Sequence, residues 1–360
     1  MLIFIALFKT FAITASVAQP ADKELEAKIK ILATKYLSNP ENAGISIGIV
    51  SENNELNFSH GIKNKLTSEL VDSNSIFEIG SITKIFTSLI LAQEVIQGKL
   101  DLQEKISHCF PGKLISNECS EINLLQLATH SSGLPRLADN FWPAVQDRKN
   151  PYESYSEHYL LEYLTTAKPY NKIGTRYNYS NVGAGLLGYV LCQKNKSSYE
   201  KLVHELVCSP FGMNNTNVLL KSTQLNDLAL GHSKGKVVKN WDFQDATAGQ
   251  GALRSNIVDM NKFVKHNLDP KKSALFEAIN FTQQLHFKDS SSGMKMGLGW
   301  HIGSFYNEKY LEHTGGTGGY RSFIGICPES KIGVVILSNS DNDVSALGIE
   351  ILKELRKFSL

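Results

Sequence analysis

The 360-residue sequence predicts a mixed α/β (α+β) fold: one sheet, flanked by a helix near each end of the chain, with a helical segment inserted between its two halves. Three observations predict it. Strand-like runs cluster at 44–61 and again at 297–338, helical patterns fill most of what lies between, and amphipathic segments stand at 23–38 and 343–357. The length corresponds to about two domains, enough for a sizeable core and a cleft. With 42% hydrophobic and 20% charged residues, the composition is that of an ordinary globular protein. The 37 Lys+Arg against 35 Asp+Glu include no block of five or six like charges, so nucleic acid is not an expected partner.

The elements follow in order. Residues 1–18 are apolar apart from Lys9, Thr10, Thr14 and Ser16, and Ser16 and Ala18 put small side chains three and one before a scissile bond. This predicts a signal peptide cleaved after Ala18 and a periplasmic or secreted product. The leader departs from the usual pattern in lacking Lys or Arg at its start, and Lys9 interrupts the apolar run. The run is too short and too broken to cross a bilayer, and no other stretch approaches eighteen apolar residues. The mature chain is therefore not expected to be an integral membrane protein. The amphipathic helix at 23–38 ends before Asn39-Pro40, and strands at 44–51 and 55–61 are joined by Asn53-Asn54 as a hairpin turn.

From 81 to 98 the pattern is helical and apolar almost all round, which places that helix in the interior. Helices are predicted at 122–129, 154–167, 181–194, 198–208, 256–268 and 273–285. Strands follow at 297–303, 308–313, 319–327 and 331–338, and a helix at 343–357 closes the chain. The domains are then not consecutive: 19–80 with 246–360 form the α/β part, and 81–245 a mainly helical part. Tyr152, Tyr155, Tyr159 and Tyr163 recur at helical spacing, as on a packed helix face. Of five cysteines, Cys109 with Cys119 or Cys192 with Cys208 could bridge in an exported chain, while buried small hydrophobes are the simpler reading, for Cys327 as well.

Three short motifs carry chemistry. The first is Ser81-Ile82-Thr83-Lys84. Spacing alone is weak, because Ser198 to Lys201, Ser233 to Lys236 and Ser292 to Lys295 match it too. Context distinguishes Ser81: it follows a strand and Gly80 and opens the fully apolar helix. Positions i and i+3 share a helix face, so the Lys84 amine can reach the Ser81 hydroxyl. A serine needs such a base to become a nucleophile, and burial favours the neutral amine that can serve as one. The helix N-terminus supplies N–H groups where an oxyanion would form. The second motif is Tyr179-Ser180-Asn181, predicted in a loop before a helix. Tyr179 could pass a proton between nucleophile and leaving group, and Asn181 could bind a substrate amide; read alone, the motif is a helix cap. The third is His313-Thr314-Gly315-Gly316 at the end of a strand. Its glycines let a substrate backbone approach and the Gly316 N–H donate to an oxyanion, with His313 and Thr314 offering hydrogen bonds or charge to a carboxylate; read alone, it is a Gly-rich turn.

In this order and setting the three motifs resemble the penicillin-recognising serine hydrolases, in particular the class C β-lactamase-like group, which also holds D-alanyl-D-alanine carboxypeptidases, D-aminopeptidases and esterases. The likeness covers nearly the whole mature chain. Phe77-Glu78-Ile79-Gly80 is similar to the family's strand before the serine, and the stretch from Leu127 to Pro135 to its His-Thr-Ser-Gly-Leu-Pro loop. Ile173-Gly174-Thr175-Arg176 resembles its Pro-Gly-Thr lead-in; Gly315 to Tyr320 and Gly333 to Asn339 resemble its closing strands. The resemblance implies a β-lactamase/transpeptidase-like fold, with an antiparallel sheet, a helical domain and the active site between them. It implies Ser81 as the acylated nucleophile, Lys84 and Tyr179 as its proton-transfer partners, and Asn181, His313, Thr314 and Gly315 as substrate-binding residues. The backbone N–H groups of Ser81 and Gly316 would form the oxyanion hole, with no metal and no organic cofactor.

The sequence departs from the dedicated class C β-lactamases at His313, where they usually carry Lys. A histidine is mostly neutral at neutral pH. This favours a peptidase acting on D-Ala-D-Ala peptides with β-lactam reactivity; a true β-lactamase, an esterase or a non-catalytic binder of cell-wall peptides stays open. The other nine histidines (His60, His108, His130, His158, His204, His232, His266, His286, His301) have no metal-ligand spacing. Arg254 and Arg321 are read as structural or solvated in preference to carboxylate-binding. Trp241, Asp242 and Phe243 either line the cleft or anchor a loop.

Overall fold

The computed structural model describes residues 20–52 and 54–358. The expected leader at 1–18 and Asn53 of the expected turn lie outside the described residues.

Near-continuous apolar runs in Gly44–Val50 and Ile332–Ser338, buried at every position, run through the middle of a nine-stranded antiparallel sheet. Its order is Glu69–Leu70, Glu55–Asn64, Gly44–Val50, Ile332–Ser338, Arg321–Cys327, Glu308–Gly316, His301–Phe305, Lys295–Met296 and Phe287–Lys288. The N-terminal strand Gly44–Val50 pairs with the last strand Ile332–Ser338, so both ends of the chain complete one sheet, as expected. On one face Ile45, Ile47, Ile49, Val334 and Ile336 pack against Leu25, Ile29, Ala33, Ile351 and Leu352, which come from the terminal helices Pro20–Leu37 and Ser345–Phe358. On the other face Val335 and Leu337 join a larger core with Met260, Phe263 and Val264 of helix Ile257–Leu268. Phe263 stacks on Phe86 at 4.2 Å, which seats the buried helix Thr83–Ile96 beneath the sheet.

Between the two halves of the sheet the chain is mostly helical, with Asn181–Asn195 buried along most of its length. The chain runs between sheet and insert through two short strands, Ile76–Glu78 and Arg254–Asn256, which pair antiparallel. That pairing clasps the two crossings together just before Ser81.

Several boundaries differ from the sequence reading. The strand expected at 297–303 splits into Lys295–Met296 and His301–Phe305. Between them the Gly297 N–H donates to the Trp300 carbonyl, and the Gly299 N–H leaves the sheet for the Ala128 carbonyl. Strand Glu308–Gly316 runs on through the third motif, which is strand and not a turn after one. The helix expected at 198–208 is Tyr199–Val203 followed by a π-helical turn, His204–Cys208. Helix Glu157–Thr166 starts later than 154, so Tyr152 and Tyr155 precede it and the four tyrosines do not form one helix face. All five cysteines are buried free thiols, the simpler of the two readings. No helix among the described residues is long and apolar enough to cross a membrane.

Candidate active site

Ser81 is held by backbone geometry that only its neighbours allow. The Ile79 N–H bonds the Leu253 carbonyl at 2.9 Å, and Gly80 then turns left-handed at φ 50°. A Cβ on Gly80 would lie 2.6 Å from the Gly316 nitrogen, so only glycine brings these two backbones together. Ser81 occupies a 3₁₀ turn, Gly80–Ile82, that feeds helix Thr83–Ile96, and no side chain caps either element. Its hydroxyl is therefore not spent on a cap.

Lys84, one turn on, is 2% exposed. Its amine meets three oxygens: Ser81 Oγ at 2.9 Å, Asn181 Oδ1 at 3.0 Å and the Gln250 carbonyl at 2.6 Å. Burial, with the Arg136 charge adding to it, pushes the Lys84 pKa well below its ordinary value. The partner set suits the neutral form. Two of the three oxygens are carbonyl acceptors and take the two N–H bonds of a neutral amine, leaving its lone pair toward the Ser81 hydroxyl.

Tyr179 reaches the same point from the insert. Ser180 caps helix Asn181–Asn195 by accepting from the Gly183 N–H at 2.9 Å, and its hydroxyl donates to the Pro135 carbonyl at 2.7 Å. The cap role thus belongs to Ser180, leaving Asn181 free to meet Lys84. The loop from 129 to 136 serves as a template. His130 Nδ1 accepts from the Ser180 N–H at 3.2 Å, its carbonyl from the Asn178 N–H at 2.7 Å, and the Arg136 carbonyl from the Asn181 N–H at 3.0 Å. The Tyr179 ring lies 4.9 Å from Lys84 Nζ and 5.2 Å from the Arg136 guanidinium. Burial raises its phenol to about 12, against the pull of the Ser81 side chain and the Arg136 charge, so it carries its proton at neutral pH.

The third wall is the end of strand Glu308–Gly316. A Cβ on Gly315 would lie 2.1 Å from the Ile79 carbonyl, and the Ser322 hydroxyl donates to that same carbonyl at 2.7 Å. The strand thus lies directly against the segment that carries Ser81. Its pairing with His301–Phe305 stops at Glu312, so from His313 to Gly316 one edge faces the cleft. His313 is 1% exposed, and its Nδ1–H donates to the Thr314 carbonyl at 2.7 Å. Burial, then the charges of His301 and Lys84, hold its pKa well below the usual histidine value. Of the two contributions expected from His313, charge and hydrogen bonding, the free site retains hydrogen bonding.

Ser81, Tyr179, Asn181 and the run from His313 to Gly316 all line one open cleft of about 610 Å³, with Lys84 behind Ser81. The other three Ser-x-x-Lys matches do not line it. The profile of the beta-lactamase family matches residues 30–354. The chain belongs to the beta-lactamase family. Over 334 residues it is 27% identical to a beta-lactamase of Pseudomonas fluorescens, covering 83% of this chain and 89% of that one. It is 24% identical over 376 residues to a beta-lactamase of Escherichia coli K12, covering 93% and 95%. Among solved structures it resembles a class C beta-lactamase (TM-score 0.82, 21% identity, 95% of this chain and 98% of that one). It also resembles a beta-lactamase/D-alanine carboxypeptidase from Pseudomonas syringae (TM-score 0.80, 21% identity, 93% and 99%). The family makes the chain an enzyme, a serine hydrolase, on a class C beta-lactamase-like fold.

Within this beta-lactamase-family cleft stand Gln250, Tyr177 and Arg136, which the sequence reading did not single out. The Gln250 carbonyl is a backbone group and leaves no residue-type signal. Tyr177 and His301 meet at 2.8 Å, from positions 124 apart in sequence. Arg136 follows directly on the quoted loop but carries no motif of its own. Tyr152 stacks on Phe243 at 4.5 Å and faces Trp241, so these aromatics form one cleft wall. Arg254 is structural: it is buried and bonds Asp242 at 2.8 Å and the Trp241 carbonyl at 2.8 Å. Arg321 lines the cleft rim and donates to the Thr317 and Tyr320 carbonyls. No group of three or more His, Cys, Asp or Glu among the described residues is disposed to hold a metal ion.

Proposed function

We propose that this enzyme is an exported hydrolase that forms an acyl-enzyme on Ser81, acting on D-Ala-D-Ala-type peptides and on β-lactams. The observation that carries the reading is the 2.9 Å contact between the Ser81 hydroxyl and the desolvated Lys84 amine at the floor of an open cleft. In the acylation step Lys84 takes the Ser81 proton as Oγ bonds to the substrate carbonyl carbon. The carbonyl oxygen, now negative, sits between the N–H groups of Ser81 and Gly316. Collapse breaks the carbonyl–nitrogen bond, and the leaving nitrogen takes a proton from Tyr179, which is replenished from Lys84. Water then releases the acyl group by the reverse proton path. Asn181 binds the amide of the acyl side chain, and the free strand edge at Thr314 and Gly315 pairs with the substrate backbone.

The test is intact-protein mass spectrometry after exposure to a β-lactam and to a fluorophosphonate. A covalent adduct on Ser81 that is lost in Ser81→Ala is expected; no adduct with either probe would overturn the reading. Binding of a muropeptide without turnover, unchanged by Ser81→Ala, would mark a non-catalytic binder instead. One observation favours an esterase as the second reading: the uncharged His313 does not demand a carboxylate. Turnover of nitrocefin, a D-Ala-D-Ala tripeptide and p-nitrophenyl esters, compared side by side, separates the two.

A further inference from the structure

The insert wall of the cleft carries positive charge without a counter-ion among the described residues. Arg136, exposed and directly after Pro135, lines the cleft with its guanidinium 5.2 Å from the centre of the Tyr179 ring. Apart from that ring the guanidinium has no protein partner: no acceptor takes any of its five N–H donors, and no carboxylate pairs with it. Arg148 repeats the pattern on the same segment. Its guanidinium lies 5.3 Å over the ring of Trp142, a half-exposed side chain that also lines the cleft, and it too lacks a carboxylate partner. The acids nearby are taken by other groups. Asp147 and Glu153 pair with Lys239, Asp242 pairs with Arg254, and Asp139 acts on Tyr163 of helix Glu157–Thr166. Asp343, the one carboxylate among the described residues that line the cleft, accepts from the Ser345 hydroxyl and N–H.

Arg136 is fixed beside the residue assigned to the acyl-side amide. Its carbonyl accepts from the Asn181 N–H at 3.0 Å and from the Val182 N–H at 3.2 Å, and the Tyr152 hydroxyl faces the Asn181 side chain. A substrate whose amide is held by Asn181 sends the next atoms of its acyl side chain along this wall, past Arg136 and the Tyr152–Phe243 stack. The wall belongs to the insert and not to strand Glu308–Gly316. A lone surface arginine is ordinary, but two without counter-ions on one wall of a cleft draw anions toward it. Resting on the acyl-enzyme reading above, we propose that Arg136 is a specificity-determining residue that selects substrates carrying a carboxylate on the acyl side of the bond cleaved, with Arg148 adding to the local positive field. The guanidinium fork donates two parallel N–H bonds to that carboxylate. The substrate class is acyl donors with an acidic side chain next to the scissile bond, as distinct from those with a carboxylate on the leaving side alone.

The test compares carbenicillin with benzylpenicillin, which share the ring system, its carboxylate and a phenyl group and differ by one carboxylate on the acyl side chain. The readout is the ratio of their second-order rate constants for Ser81 acylation, followed by intact-protein mass spectrometry. Any effect of Arg136 on Tyr179 or Lys84 is common to both substrates and cancels in the ratio. Arg136→Gln should lower the carbenicillin-to-benzylpenicillin ratio by about tenfold. Arg136→Lys, which keeps the charge and loses the fork, should lower it by about threefold, and Arg148→Gln by about twofold. Raising NaCl from about 0.05 to 0.5 M should lower the ratio in the unaltered enzyme and lower it less in Arg136→Gln, because an exposed charge is screened. Thermal melts report whether each variant folds, and Arg136→Lys carries the test should Arg136→Gln not fold. A ratio unchanged within twofold in Arg136→Gln, whether both rates hold or both fall, overturns the proposal. Absence of any Ser81 adduct from either penicillin in the unaltered enzyme overturns the acyl-enzyme reading itself, a result distinct from adducts that form at an unchanged ratio.

Discussion

Lys84→Met removes the amine and keeps a side chain of similar length in the buried site. The amine touches Ser81 Oγ, Asn181 Oδ1 and the Gln250 carbonyl, and only the first of these contacts is chemical. Loss of a positioned general base lowers a rate by about 10²–10⁴-fold, or about 3–5 kcal/mol of activation free energy. The fold should feel the change much less. Two acceptors lose a partner, at about 1–3 kcal/mol for each that stays buried and unpaired, while the protein no longer has to desolvate an amine. These effects oppose each other, so the melting temperature should stay within about 5 °C. The pH profile supplies a second readout. With the Lys84 pKa pushed down by burial, acylation in the unaltered enzyme rises with pH as the amine loses its proton. That rise should be absent in Lys84→Met. Time-resolved mass spectrometry of the Ser81 adduct, paired with thermal melts, gives both quantities. Acylation within threefold of the unaltered rate in a folded Lys84→Met protein would refute the assignment of Lys84 as base.

Three further outcomes are expected. Tyr179→Phe should slow acylation by amides by about 10²-fold or more and by p-nitrophenyl esters less, because a nitrophenolate leaves without a proton; rapid-quench kinetics on both substrate types checks this. Gly80→Ala should destabilise the fold and abolish adduct formation, since the residue has φ 50° and its Cβ would lie 2.6 Å from the Gly316 nitrogen; denaturant melts and adduct assays measure the two effects. Burial lowers His301 to about 4, so below pH 6.5 the unfolded chain binds a proton that the folded one does not. Stability from this residue is complete above about pH 6.5 and falls by up to about 3 kcal/mol as the pH drops to 4. Denaturant melts between pH 7 and 4.5 should therefore slope less steeply in His301→Gln; identical slopes would contradict it.

What the sequence determined by itself is local or periodic. Strand-like apolar runs at 44–50 and 332–338 mark two strands of a sheet, and the all-round apolar run after Ser81 demands an interior helix. The Ser81–Lys84 contact also follows from one helical turn, so it could be read before any fold was known. Boundaries failed where tertiary packing overrode local preference, as where Gly297 to Trp300 breaks a strand by bonding elsewhere. Tertiary structure alone decided that Ser180 caps the helix while Asn181 turns to Lys84, that a backbone carbonyl at Gln250 completes the amine's partners, and that His301 stands beside His313. It also set the charge states at the site. A pKa depends on how much water and which charges surround a group in three dimensions, and one dimension of residue types carries neither.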